Sequence, residues 1–287
     1  MTPSRSAGLT AAALAGPATV YVGIGLLLPL AILLRYSLNA FVPGKFMVDA
    51  LTVENYVKFF TDSYYLAILL RTLRIALLTT GICLIAGFPL AYVLARMRSR
   101  HKSFLIMLVV LPLFIGNAVR AAGWMVAFGN KGLVNASLVG LGVLSQPLEI
   151  MFTEAAVVIG ITAVNLPFMV LTLQSVIEGI DRSVEEAAFN LGAAPRQMLA
   201  RVLLPLARPG ILAGTILTFI LAMNAYATPV LLGGPRFQMM GPLVYNQFVQ
   251  QNNWPFGAAI AFILMIATLS LTLVANLLVQ QRYRARS

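Results

Sequence analysis

Residues Glu178 to Pro209, EGIDRSVEEAAFNLGAAPRQMLARVLLPLARP, form a polar stretch in a chain that is otherwise almost continuously apolar. Within it Glu185 precedes Glu186-Ala187-Ala188, which is followed by three residues, Gly192, nine residues, Val202, one residue and Leu204-Pro205. Ser183 with Glu186 three residues on has the pattern of a capping box, so a short helix is expected to start there. Val184, Ala187, Ala188 and Leu191 then share one face, and Gly192 is placed for a left-handed stop. Pro195 suits the first turn of a second helix carrying Met198, Leu199 and Val202 on one side, with Pro205 and Pro209 expected to end it. Two short amphipathic helices joined at a glycine make a compact knob of the kind that docks into a groove on a partner. A solvated connector between two spans is the plainer alternative.

The rest of the chain sets the context of that knob. Of its 287 residues 60% are hydrophobic and 10% charged, whereas soluble domains carry about 25% charged residues, so this is an integral membrane protein. Stretches of roughly 20 apolar residues cross the hydrocarbon core as helices. The expected spans are Ala11–Leu34, Ile75–Ala95, Phe104–Phe128, Ala155–Val176, Gly210–Leu232 and Gly257–Val279. Leu138–Leu148, interrupted by Gly140, Gly142 and Pro147, is too short to span and is expected to be re-entrant or interfacial.

With six all-α spans, the basic residues sort to one side. Arg5, Arg96, Arg98, Arg100, Lys102, Arg182, Arg196, Arg201, Arg208, Arg282, Arg284 and Arg286 flank that side, against Lys45, Lys58, Lys131 and Arg236 on the other. The positive-inside rule therefore places both termini and the 178–209 loop in the cytoplasm. The net charge of +11 belongs to residues beside spans, where anionic headgroups attract it, and calls for no nucleic acid. The first span is too long to be a signal-peptide core, and Ala13-Leu14-Ala15 precedes its apolar run instead of following it.

The expected organisation is an N-terminal helix with an outer segment over 1–65, a five-helix core over 66–280 containing the loop, and a tail over 281–287. Asn39–Tyr65 is expected to hold short interfacial helices. Neither an internal repeat nor the two-half symmetry of many secondary carriers is visible.

No pattern points to catalysis. There is no P-loop signature. All nine acidic residues lie outside the spans or at their ends, which disfavours the alternative of a secondary transporter or channel, since such carriers bury carboxylates as ion relays. A lone cysteine, Cys83, is expected to pack, and the lone His101 to sit solvated in a basic turn. No metal site is expected.

Prolines 29, 89, 112, 167 and 229 fall within spans and are expected to kink them. Asn224, Tyr226 and Thr228 lie near such a break in the fifth span. With Asn165, Arg120 and Trp124 they are the candidates for a substrate path, set against ordinary hydrogen bonding between helices. Arg71 and Arg74 are expected to snorkel at an outer entrance. Arg120 is deeper, and two readings stand: a structural pair with a carbonyl or Glu154, or contact with a carboxylate or phosphonate on the solute.

The Glu-Ala-Ala spacing resembles the coupling ("EAA") loop of binding-protein-dependent ABC importer permeases, with Val202 where isoleucine is usual. Asn55-Tyr56, Phe88-Pro89-Leu90-Ala91-Tyr92, Val119-Arg120 with Trp124-Met125, Leu166-Pro167-Phe168-Met169, Thr228 to Pro235 and Trp254 to Ala258 look like spermidine/putrescine-type permeases. The resemblance implies a type I importer fold. It also implies a second permease subunit forming a heterodimer, two cytoplasmic ATPases that bind ATP and Mg, and a periplasmic solute-binding protein. It assigns Glu185, Glu186, Ala187, Ala188, Gly192, Val202, Leu204 and Pro205 to ATPase coupling, with Glu186 capping its helix and meeting a basic residue of the partner. Polyamine-type relatives often carry an acid just before Thr-Pro; here the residues are Asn224-Ala225. An opine, an amino acid derivative or a phosphonate therefore stands beside a polyamine among the expected cargoes.

Overall fold

The computed structural model describes residues 5–284. By Cα packing these residues divide into two units, 5–63 with Val244–Ile263, and Tyr64–Leu243 with 264–284.

In the first unit α1 (Arg5–Ser37) is a long apolar helix that carries Pro29 without a break. Beyond it the chain forms a hairpin, β1 (Ala40–Val42) antiparallel to β2 (Phe46–Val48), and then α2 (Glu54–Thr61). Only α2 matches the short helices expected here. The hairpin arises because Pro43-Gly44 is a strong turn pair between Phe41-Val42 and Phe46-Met47-Val48, which favour strands. Asn55 fixes the junction: its buried Nδ2 donates to the carbonyls of Ser37 and Asn39, both at 2.9 Å. Lys58 lies 4.6 Å from the Phe256 ring centroid.

The second unit contains α3 (Ser63–Arg96), then α4 (Lys102–Val110), a 3-10 turn over Leu111–Phe114, α5 (Asn117–Phe128), α6 (Leu133–Gly140) and α7 (Glu154–Glu178). The polar stretch comes next as α8 (Arg182–Asn190), α9 (Pro195–Met198), a π-helical turn over Leu199–Leu203 and α10 (Leu204–Leu206). It leads into α11 (Arg208–Met223), α12 (Ala227–Gly233) and α13 (Met240–Tyr245), whose last residues belong to the first unit, and finally α14 (Trp254–Arg284), which belongs to the first unit as far as Ile263 and to the second from Leu264. The expected tail is helical as far as Arg284, and residues 285–287 lie outside the described ones.

Among the described residues four helices are long and apolar enough to cross a bilayer, in α1, α3, α7 and α14, and two bent helix pairs raise the number to as many as six. The third expected span is one of these. It bends by 100° between Phe114 and Asn117, because Pro112 tightens the turn before Ile115 and Gly116 starts a new helix. The fifth expected span is likewise broken: α11 stops at Met223, and Pro229 falls in the first turn of α12, where its missing N–H costs no hydrogen bond. Leu138–Leu148 is helical only to Gly140. The buried Asn135 anchors the non-helical remainder, exchanging hydrogen bonds with Leu148 N at 2.8 Å and Leu148 O at 3.0 Å.

α7 runs through the middle of this unit, with α11 along one side. A Cβ on Gly210 or Gly214 would meet Val176 at 2.8 Å or Met169 at 2.7 Å, the close approach that small residues permit between membrane helices. A core of Leu94, Met169, Leu173, Ile177, Ala188 and Leu203 continues from α3 and α7 into the polar stretch, so the knob is packed onto the bundle.

Candidate functional site: the α7–α11 loop

α8 begins right after Asp181, whose Oδ1 accepts a hydrogen bond from the Ser183 backbone N–H at 2.9 Å. This replaces the expected box of Ser183 and Glu186. An aspartate is at least as good a cap as a serine, and its charge complements the positive helix end. The same N–H, first among its causes, holds the Asp181 carboxyl below the ordinary aspartate range. Glu186 does not cap; it is exposed.

The helix closes as expected. Leu191 N donates to Ala187 O at 3.0 Å and Gly192 N to Phe189 O at 2.9 Å, and Gly192 takes φ +82°. In the next helix Pro195 occupies the first turn and Gln197 Oε1 accepts from Ala194 N at 3.1 Å. Met198 is buried and Leu199 and Val202 pack partly against the same core. Pro205 does not end the helix. Its missing N–H would have bonded to Arg201 O, and the wide turn over Leu199–Leu203 absorbs that loss. Leu204 and Pro205 are half-buried. The chain instead bends by 70° between Leu206 and Arg208, and Pro209 opens α11.

The expected apolar face of α8 divides. Glu185 and Ala188 point inward, while Val184, Ala187, Phe189 and Leu191 are exposed, Leu191 by 89%. Glu185 causes this orientation. Arg96 Nε donates to its Oε1 at 2.8 Å, with Nη2 2.5 Å from the same oxygen, and Tyr92 Oη donates to Oε2 at 3.0 Å. Burying positions 185 and 188 turns the 184, 187, 191 stripe to the outside. Nearby, Lys102 Nζ pairs with Glu178 at 2.6 Å. Tyr92 and Arg96 were legible only as part of a span and as a basic flank, because their partner stands 89 or more residues away.

The substrate-path candidates scatter. α12 packs on both α5 and α7, which brings the helices of Arg120, Trp124, Thr228 and Asn165 together. Thr228 is buried against Gly160, where an added Cβ would stand 2.6 Å from its methyl. Asn165, however, turns to α11 and donates to Thr218 O at 3.3 Å. Asn224 donates to Ile220 O of its own helix at 2.9 Å, and Tyr226 is partly exposed. Trp124 stacks on Phe128 with centroids 4.9 Å apart. Arg120 Nη2 donates to Asn117 Oδ1 at 2.5 Å, while its Nε and Nη1 have no hydrogen-bond partner among the described residues. The pairing of Arg120 with Glu154 does not form: Glu154 pairs with Arg74 of α3. No group of three or more His, Cys, Asp or Glu placed to hold a metal ion occurs among the described residues.

The family model described as binding-protein-dependent transport system inner membrane component matches residues 84–284. The spermidine/putrescine transport system permease protein PotB of Haemophilus influenzae is 36% identical over 259 residues, covering 90% of this chain and 88% of that one. PotB of Escherichia coli K12 is also 36% identical, over 242 residues, covering 84% of this chain and 85% of the other. Among solved structures, a bacterial ABC transporter involved in import of the acidic polysaccharide alginate superposes with a TM-score of 0.73 at 18% identity, over 96% of both chains. That likeness carries the type I permease fold. The chain belongs to the family of inner-membrane components of binding-protein-dependent transport systems: it is a permease subunit of an ABC importer, not an enzyme.

Proposed function

We propose that the exposed face of α8 is the dock for a separate ATP-hydrolysing subunit, through which ATP hydrolysis drives solute across the membrane. The observation that carries this reading is the division of α8. One face is locked into the bundle through Glu185 and Ala188, and the other offers Val184, Glu186, Ala187, Phe189 and Leu191 to solvent. Large apolar side chains on a polar connector favour a partner's groove over water. The basic flanks of α3, α8 and α11 support a cytoplasmic position for this face and for both termini.

In this reading a second permease subunit completes the path, two ATPases hold the ATP and Mg, and a periplasmic protein delivers the solute. The identity with PotB favours a small organic solute of polyamine type. The absence of acidic residues inside the spans favours a less cationic relative, such as an amino acid derivative, an opine or a phosphonate. Arg120, Trp124, Asn165, Asn224, Tyr226 and Thr228 are the residues proposed to meet it.

Proteoliposomes containing the full complex test this. Uptake that requires ATP and the ATPase subunit supports the reading. Uptake by the purified chain alone under an ion gradient overturns it. Thermal-shift screening of the cognate binding protein against polyamines, opines and phosphonates identifies the cargo.

A further inference from the structure

Glu185 and Arg96 form a buried ion pair, with side chains 9% and 13% exposed. Both carboxylate oxygens are engaged, Oε1 by Arg96 and Oε2 by Tyr92 one turn earlier on α3. The guanidinium has a second acceptor, since Arg96 Nη1 donates to Ile180 O at 3.0 Å, in the corner between α7 and α8. A return contact comes from α8: Arg182 Nη2 donates to Arg96 O at 2.6 Å. The end of α3, the end of α7 and the start of α8 are thus tied by directional, charge-assisted bonds. A planar guanidinium held this way fixes orientation as well as distance.

α3 also reaches the opposite end of the unit. There Thr72 Oγ1 accepts from Met240 N at 2.9 Å, and Arg71 Nη1 donates to Gln238 O at 3.4 Å while its guanidinium lies 5.4 Å from the Phe237 ring centroid. One helix therefore links the base of α8 to the segment after α12. A greasy contact at that base would let α8 slide, because apolar packing has no directional preference. An ion pair held by directional bonds does not slide; it either holds or breaks.

We propose that Tyr92, Arg96 and Glu185 are a rigid joint that passes movement of α8 to α3, which makes Arg96 and Glu185 positioning residues for the coupling of ATP hydrolysis to transport. The proposal rests on the docking reading of α8. It differs from a stability role in its readout. A joint affects how much solute moves per ATP, whereas a purely structural pair affects how much complex exists.

The test uses the complete complex in proteoliposomes, with three readouts: co-purification of the ATPase, ATP hydrolysis, and uptake per ATP hydrolysed. The principal variant is R96M/E185L, which removes both charges and leaves neither unpaired. It is expected to assemble and hydrolyse ATP, with uptake per ATP reduced about tenfold. Arg96→Lys keeps the charge but loses the planar fork, and is expected to fall between the double variant and the wild type. It also serves if the double variant does not assemble. Unchanged uptake per ATP in an assembled variant overturns the joint while leaving the dock intact. A parallel fall of hydrolysis and uptake, at constant uptake per ATP, overturns it as well. Failure of the wild-type chain to co-purify with the ATPase overturns the docking reading and the joint together.

Discussion

Glu185 and Glu186 are adjacent carboxylates with opposite surroundings: Glu185 is buried against Arg96 and Tyr92, and Glu186 faces solvent. Their substitutions should therefore have different consequences. Glu185→Lys places a second cation beside Arg96 and leaves both unpaired, which costs about 3–5 kcal/mol, the scale for breaking a buried pair. Glu186→Lys should shift stability by no more than about 0.5 kcal/mol and instead weaken co-purification with the ATPase. Thermal melts of the detergent-solubilised chain, run beside pull-downs, check both.

Gly192 has φ +82° and open space around its missing Cβ. Substitution there meets strain and no clash. Gly192→Ala is expected to cost about 1 kcal/mol, and Gly192→Asn less, because asparagine tolerates the left-handed region. Gly192→Val should be worst of the three. Melting temperatures in one detergent rank them.

Gly160 is constrained by space instead. A Cβ there would stand 2.5 Å from Leu232 and 2.6 Å from Thr228, so Gly160→Ala must push α12 away from α7. The expected cost is about 1–3 kcal/mol. Leu232→Ala in the same chain should recover part of it, and a double-mutant cycle on melting free energies would show the coupling.

The Asp181 cap is sensitive to acid. Its carboxyl is held below the ordinary aspartate value by the Ser183 N–H, so its contribution is fully present above roughly pH 3.9 and is lost as pH falls through the lower folded value. Asp181→Ala should give faster amide exchange at the start of α8 at neutral pH, whereas Asp181→Ser should not. Hydrogen–deuterium exchange over residues 181–190 reads this directly.

The Arg74–Glu154 pair is the contrasting case, with side chains 61% and 34% exposed. Arg74→Ala is expected to change stability by about 0–1 kcal/mol after solvent screening. A loss well beyond that range in thermal melts would mean that the pair is shielded in the assembled membrane protein.

Much of this protein was decided locally, and those parts were legible in the chain. Apolar runs of α1, α7 and α14 are long enough to fix their helices whatever surrounds them, since unsatisfied backbone is untenable in hydrocarbon. Gly192 and Pro195 likewise announce the stop and restart of the knob, because each restricts its own backbone angles. The hairpin at Pro43-Gly44 was also present as a local signal, but the apolar residues around it resemble an interfacial helix just as well.

Other features depended on partners distant in sequence. The direction α8 faces is set by Arg96 and Tyr92, so the periodicity of Val184, Ala187, Ala188 and Leu191 gave the right stripe and the wrong side for most of it. Glu154 met Arg74, 80 residues away in sequence, instead of Arg120. A polytopic helical membrane protein with an Ala-rich knob is written into the chain itself, since hydrophobic length and turn residues act within a few positions. Which of two neighbouring glutamates is buried is settled only by folding, since the energy of an ion pair depends on distance in space and not along the chain.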